Sequence, residues 1–98
     1  MEISWVLDNG TIIFSLTGRL DTLTAPDLEK EIQGNCTDVE KLVFDFQELE
    51  YISSAGLRVL LSAHKLMKSK GGMVIKNVNS EIMEIFEVTG FTDILNIE

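Results

Sequence analysis

Two adjacent serines, Ser53 and Ser54, lie where phosphorylation would sharply change the surface charge of this protein. They precede a segment with helical periodicity, and serine is among the residues that most often cap a helix N-terminus. Neither serine is followed three residues later by Glu or Gln, so a capping box does not account for the pair. A phosphoryl group there would meet free N–H donors and the positive end of the helix dipole. The pair therefore indicates either a helix cap or a phosphorylation site.

Two further residues of the same helix bear on this site. Gly56 lies in the first turn, where glycine costs roughly 1 kcal/mol relative to alanine. We interpret it as a bare helix tip that another surface approaches closely. Arg58 follows one turn after Ser54, where it either partly neutralises a phosphate or is an ordinary solvated arginine.

The other reactive residue types do not assemble an active site. His64 lies ten helical residues beyond Ser54, roughly 15 Å away, so it is not a general base for that serine. Cys36 has no His, Lys or Arg immediately beside it that would favour a thiolate. Asp21 and Asp45 are more readily solvated or capping carboxylates than magnesium ligands. Because phosphate-binding loops and Cys/His clusters are also missing, we expect no enzyme, no metal and no cofactor.

The composition and net charge of the chain exclude several classes of partner. The chain has 98 residues, a net charge of −8 and 45% hydrophobic residues, which predicts one globular domain over residues 1–98. An acidic surface disfavours nucleic acid and anionic membranes, both of which attract Lys/Arg clusters. The single Cys36 fits a reducing compartment, and neither a signal peptide nor a membrane span is indicated. We expect a cytoplasmic protein with no direct nucleic-acid contact and no membrane insertion.

Hydrophobic periodicity predicts the elements that position these residues. Alternating residues on both sides of Asn9-Gly10 predict a hairpin, because Asn-Gly is the preferred two-residue turn. Thr24 and Ser80 are predicted helix caps, and Gly34 and Gly90 are predicted helix ends. The segment 94–97 is either an edge strand or a docked tail. The predicted strands are 3–8, 11–17, 41–46 and 73–76, and the predicted helices are 25–33, 53–70 and 80–90.

The order β-β-α-β-α-β-α predicts an α/β fold with a mainly parallel sheet after the hairpin. The nearly continuous apolar run at 41–46 predicts a central strand covered on both faces. Sites in such sheets form beyond the carboxyl ends of the parallel strands. This topology therefore places Asp21, the two serines, Asn77 and Asn79 near one edge of the sheet.

Three motifs in this order and spacing resemble those of the STAS domain, over essentially the whole chain. Within that family, the sequence is most similar to the small bacterial anti-sigma factor antagonists. The matching segments are Gly18-Arg19-Leu20-Asp21-Thr22 with Thr24-Ala25, Leu42–Phe46 with Tyr51–Leu57, and Gly71-Gly72 with Val88-Thr89-Gly90-Phe91.

The resemblance implies a phosphorylation switch. Aligned on Gly56, the family's phosphoacceptor falls on Ser54, with Ser53 as a second candidate, and the family's aspartate after the second strand falls on Asp21. Ser53 stands where the family usually has Asp, so one carboxylate beside the acceptor is missing. The partner-binding residues that the resemblance implies are Asp21, Thr22, Ser53, Ser54, Gly56 and Arg58.

The resemblance also implies the partners. The unphosphorylated antagonist would bind an anti-sigma factor that is a GHKL-type serine kinase, and would thereby free a sigma factor for transcription. A PP2C-type phosphatase would restore the antagonist after phosphorylation. An alternative within the same family is a STAS subunit that docks on a membrane transporter. A weaker alternative is a small nucleotide-binding or hydrolytic domain.

Overall fold

One five-stranded sheet and three helices make up the protein, which a computed structural model describes over residues 1–98. The predicted α/β order is confirmed, and the segment left open at the C-terminus contributes the last strand. The elements are β1 (Glu2–Asp8), β2 (Thr11–Leu20), α1 (Ala25–Asn35), β3 (Lys41–Ile52), α2 (Ser54–Lys68), β4 (Met73–Lys76), α3 (Ser80–Thr89), a 3-10 turn (Phe91–Asp93) and β5 (Asn96–Ile97).

The strands follow one another across the sheet in the order β1-β2-β3-β4-β5. β1 and β2 form the predicted antiparallel hairpin, and its turn residues Asn9 and Gly10 both adopt positive φ. All other neighbouring strands are parallel, so the carboxyl ends of β2, β3 and β4 lie along the same edge.

All three helices cover the same face of the sheet. Phe14, Phe44 and Ile75 are neighbours across β2, β3 and β4, and they belong to one core of 24 buried residues that includes the apolar faces of every helix. Val43 and Val74 point to the opposite face and lie outside that core. β3 is the central strand, as predicted, and Val43 on its other face is buried, but the helices cover only one of its two faces. Sequential strand order joined by crossovers of one hand keeps successive helices on a single side.

The two strands that lead to the site are longer than predicted. β2 continues to Leu20 and β3 continues to Ile52, whereas alternation in the sequence ends near residues 17 and 46. Their pairing shifts register between Ser15 and Thr17 and again between Gly18 and Arg19. Such bulges interrupt the period-two pattern while the strand continues. As a result, the segment 47–52 is strand and delivers Ser53 directly at its end.

Both ends of α1 and the cap of α3 differ from the predictions. α1 runs past Gly34 to Asn35, whose side chain donates to the backbone carbonyl oxygen of Glu31. Thr24 precedes α1, but its side chain makes no capping bond. Asn79, rather than Ser80, caps α3 by accepting a hydrogen bond from the Ile82 N–H at 2.8 Å.

α2 is shorter than the predicted 53–70, because Ser53 is its cap and the helix ends at Lys68. Gly90 ends α3 in the left-handed conformation, with φ of 81°. None of the helices is long and apolar enough to cross a membrane.

Candidate functional site

The site lies where β2 and β3 end side by side. Leu20 and Ile52, the last residues of these strands, are register partners. The Ser53 N–H donates to the Leu20 carbonyl oxygen at 2.9 Å, which ties the start of one connection to the end of the other strand. Asp21 and Ser53 are therefore the first residues after two adjacent strands and lie at the same edge of the sheet. α2 begins at the next residue, Ser54. This placement agrees with the edge predicted from topology.

The two serines have different environments. Ser53 is half-buried in extended backbone, and its hydroxyl oxygen accepts a hydrogen bond from the Gly56 N–H at 3.4 Å. Ser54 is exposed, and its hydroxyl makes no hydrogen bond within the protein. Ser53 is thus the helix cap, which leaves the Ser54 oxygen free for chemistry.

Gly56 has a different role from the one predicted. The residue is buried, and a Cβ built on it would lie 2.8 Å from Ile52 Cγ1 and 2.8 Å from Leu20 Cγ. The surface that approaches this glycine is therefore the protein's own core, packed under the first turn of α2. The prediction of a bare tip presented to a partner at Gly56 is wrong.

Asp21 organises the turn that leaves β2. Its Oδ1 accepts hydrogen bonds from the N–H groups of Leu23 at 3.0 Å and Thr24 at 3.1 Å. The Thr24 hydroxyl accepts in turn from the Asp21 N–H at 2.8 Å. These contacts fix the turn and hold Leu23 outward with 86% of its surface exposed.

The same contacts keep Asp21 ionised. Lost hydration of the carboxylate raises its pKa. The hydrogen bonds from Thr24 and Leu23 and the nearby charge of Arg19 outweigh that effect, so the pKa of this group lies below its ordinary value. At neutral pH, a full negative charge therefore stands beside the start of α2.

The pairing of β2 with β3 also brings Arg19 and Tyr51 to this edge, and the sequence patterns did not predict a role for either residue. They are register partners, and the Arg19 guanidinium carbon lies 4.3 Å from the centre of the Tyr51 ring. Arg19 Nε is also 4.0 Å from Asp21 Oδ2. Both residues fall in the part of β2 and β3 that was predicted to be loop, so their pairing carried no recognisable sequence signal.

A groove between α1 and α2 opens next to Ser54. Its volume is about 270 Å³, and we call it the near hollow. Thr22 and Arg58, two of the predicted site residues, stand on its opposite walls. The lining consists of Thr22, Ala25, Pro26, Glu29, Ala55, Arg58, Val59 and Ser62.

Asn77 and Asn79 support the strands rather than the serines. The Asn77 amide donates to Asp45 Oδ1 at 2.9 Å, and the Asn79 amide donates to the Leu49 carbonyl oxygen at 3.0 Å. Both contacts lie at the predicted edge of the sheet and join the loop after β4 to β3. They have no hydrogen bond to Ser53 or Ser54.

The remaining candidates for chemistry are separate from this edge. Cys36 is fully buried, and burial raises the pKa of its thiol to about 11 despite the opposing charge of Lys70. Its thiolate is therefore not formed at neutral pH. His64 is half-buried, further along α2. No three His, Cys, Asp or Glu side chains come together as a metal site.

The protein is thus a one-sided α/β domain that carries an unbonded serine hydroxyl at the start of a helix, on the same sheet edge as an ionised aspartate. Residues 3–98 match the family model described as the STAS domain. The chain belongs to the STAS domain family.

Known relatives agree with this assignment. BtrV of Bordetella bronchiseptica, named as a candidate anti-sigma factor antagonist, is 36% identical over 99% of this chain and 85% of its own length. An anti-sigma factor antagonist from Mycobacterium paratuberculosis has a similar structure, with a TM-score of 0.89 and 23% identity over 98% of this chain and 83% of that one. The phosphorylated form of the Bacillus cell fate determinant SpoIIAA matches with a TM-score of 0.76 and 16% identity over 99% of this chain and 91% of that one.

Proposed function

We propose that this chain is an anti-sigma factor antagonist whose binding is switched by phosphorylation of Ser54. In the unphosphorylated form it binds an anti-sigma factor that is also a GHKL-type serine kinase, and a sigma factor is released. The observation that carries the proposal is the exposed, unbonded Ser54 hydroxyl at the start of α2, beside ionised Asp21. The similarity to BtrV along almost the whole chain supports the same function.

Ser54 is a better acceptor than Ser53 on chemical grounds. In the transfer, the γ-phosphoryl group of ATP passes to Ser54 Oγ, the hydroxyl proton is lost and ADP leaves. The same reaction at Ser53 would modify the oxygen that caps α2 through the Gly56 N–H. A phosphate on either serine would lie at the positive end of the helix dipole, but a phosphate on Ser54 leaves the Ser53 cap intact.

The cost of desolvating added charge is the physical basis of the proposed switch. A phosphoserine carries about −1.5 to −2 charges at neutral pH. On this surface that charge is added next to Asp21 and must be desolvated when a partner covers it. The complex therefore dissociates after phosphorylation, and hydrolysis of the phosphoserine by a PP2C-type phosphatase restores binding.

The proposal assigns the chain a binding role in the cytoplasm, with no catalytic activity of its own. The partner-binding residues proposed around Ser54 are Asp21, Thr22, Ser53 and Arg58. Thr22 and Arg58 share the near hollow, and Asp21 leaves the adjacent strand. Gly56 contributes indirectly, because it lets Leu20 and Ile52 pack under the first turn of α2.

The test is recovery of the tagged chain from its host, with phosphosite mapping, followed by calorimetry with the kinase that co-purifies. We expect Ser54→Ala to bind like the wild type and Ser54→Asp to bind at least about tenfold more weakly, or about 1.4 kcal/mol. Ser80→Asp is the matched control, because Ser80 is also the first residue of a helix whose cap precedes it. That variant should bind within about twofold of the wild type.

Two results would contradict the proposal. One is full affinity of Ser54→Asp for the kinase-type partner. The other is recovery of permease subunits with no phosphate on any serine, which would favour the transporter alternative.

A further inference from the structure

The α1–α2 groove extends beyond the near hollow, away from Ser54. A second hollow of about 210 Å³, the far hollow, continues along the same two helices and shares Glu29, Val59 and Ser62 with the first. Its floor is apolar and already buried, whereas Leu66 forms a wall with 37% of its surface exposed. The result is one continuous groove, of mixed polarity at the Ser54 end and mainly apolar at the other.

The spacing of the two hollows fits a helix. On α2, the near hollow is lined between Ala55 and Ser62 and the far hollow between Val59 and Leu66, an offset of four residues. Four helical residues correspond to about 6 Å. Two side chains four residues apart on a second helix are separated by a similar distance. A helix lying along the groove therefore places one side chain in each hollow.

The charges of the groove indicate what that helix carries. Glu29 stands on the α1 wall at the junction of the hollows, and it belongs to neither of the ion pairs in the structure, Arg19–Asp21 and Lys76–Glu98. The chain as a whole has a net charge of −8. A basic side chain is thus the complement of the α1 wall, and an aliphatic side chain is the complement of the far hollow.

We infer that the α1–α2 groove binds an amphipathic helix of the anti-sigma factor, with an aliphatic side chain in the far hollow and a basic side chain paired with Glu29. This inference rests on the proposed function, because it assigns that partner to a surface continuous with Ser54. Binding of a helix through its apolar face in a groove between helices is a common mode of recognition.

The test measures binding of the full-length chain to the co-purifying kinase by calorimetry. Leu66→Glu, which introduces a charge at the far hollow, is expected to weaken binding at least about tenfold. Val88→Glu on α3 is its matched control, because Val88 is 81% exposed and lines neither hollow. This variant should bind within about twofold of the wild type. Ser62→Tyr, at an exposed position that lines both hollows, should also weaken binding by filling the groove.

Charge reversal tests the basic side chain. Glu29→Lys should weaken binding about tenfold, whereas Glu84→Lys, an identical change on the exposed side of α3, should not. Circular dichroism on every variant checks that the fold is retained.

The outcomes separate this inference from the proposed function. If Ser54→Asp releases the kinase while Leu66→Glu and Ser62→Tyr bind like the wild type, the groove inference is wrong and the switch stands. Equal losses in the groove variants and their α3 controls would also overturn it, because the effect would then be general electrostatics. Self-association of the wild type that Leu66→Glu abolishes would assign the groove to a second copy instead. If no kinase binds the wild type, both proposals fail.

Discussion

Replacement of Gly56 by alanine should destabilise the protein, although alanine is the better helix former. The added methyl group would lie 2.8 Å from both Ile52 Cγ1 and Leu20 Cγ, inside normal contact distance. Both neighbours are almost completely buried, so neither side chain can move aside into solvent. Overpacking of a core typically costs about 1–3 kcal/mol, and two such contacts place this site in the upper part of that range. Helix propensity returns about 1 kcal/mol, which leaves a net loss of about 1–2 kcal/mol.

Urea unfolding followed by circular dichroism measures this loss as a lower midpoint with an unchanged slope. Gly34→Ala is the matched control, because Gly34 is an exposed residue of α1 with nothing within 4 Å of an added Cβ. There the helix propensity acts alone, and stability should rise by up to about 1 kcal/mol. If Gly56→Ala proves as stable as the wild type or more stable, the packing explanation for this glycine is refuted.

Two further predictions concern the turn after β2 and the start of α3. Since the pKa of Asp21 is lowered in the folded protein, its contribution to stability is present above the ordinary pKa of aspartate, about 3.9, and is lost as pH falls through the lowered value. Unfolding midpoints between roughly pH 2 and pH 6 should therefore fall less steeply in Asp21→Asn than in the wild type; parallel curves would contradict this. Asn79→Ala removes the cap of α3 and the bond to Leu49, so it should cost about 1–2 kcal/mol in urea unfolding, whereas Ser80→Ala should cost less than about 0.5 kcal/mol. Equal losses in the two variants would show that Asn79 is not the cap.

Sequence patterns predicted the elements wherever a short-range interaction dominates. The β1–β2 hairpin follows from the turn preference of Asn9-Gly10, which needs no information from the rest of the chain. The start of α2 at Ser54 follows from serine capping and from the apolar stripe of that helix. The end of α3 at Gly90 follows from the left-handed conformation that glycine tolerates.

The errors in β3, at the start of α3 and at Gly56 concern positions where residues distant in sequence decide the structure. β3 extends to Ile52 because it pairs with β2 through shifted registers, which periodicity does not reveal. Asn79 displaces Ser80 as the cap because its amide also reaches Leu49 on β3. Gly56 is required by two core side chains rather than by a partner, and only their positions in the packed protein show this.

The sequence by itself determined the order of the elements, the acidic charge and the presence of a serine at the start of α2, because these depend on composition and on residues a few positions apart. Only the tertiary structure decided that Ser53 is occupied as a cap while Ser54 is free, and that Asp21 is held ionised by its own turn. It alone also revealed the contact of Arg19 with Tyr51 and the groove between α1 and α2. The Arg19–Tyr51 contact and the groove arise from strand register and helix packing, where residues far apart in the chain meet, and no local pattern specifies which of them do. The bonds of Ser53 and Asp21 span only two or three residues, but these residues are positioned by the side-by-side ends of β2 and β3.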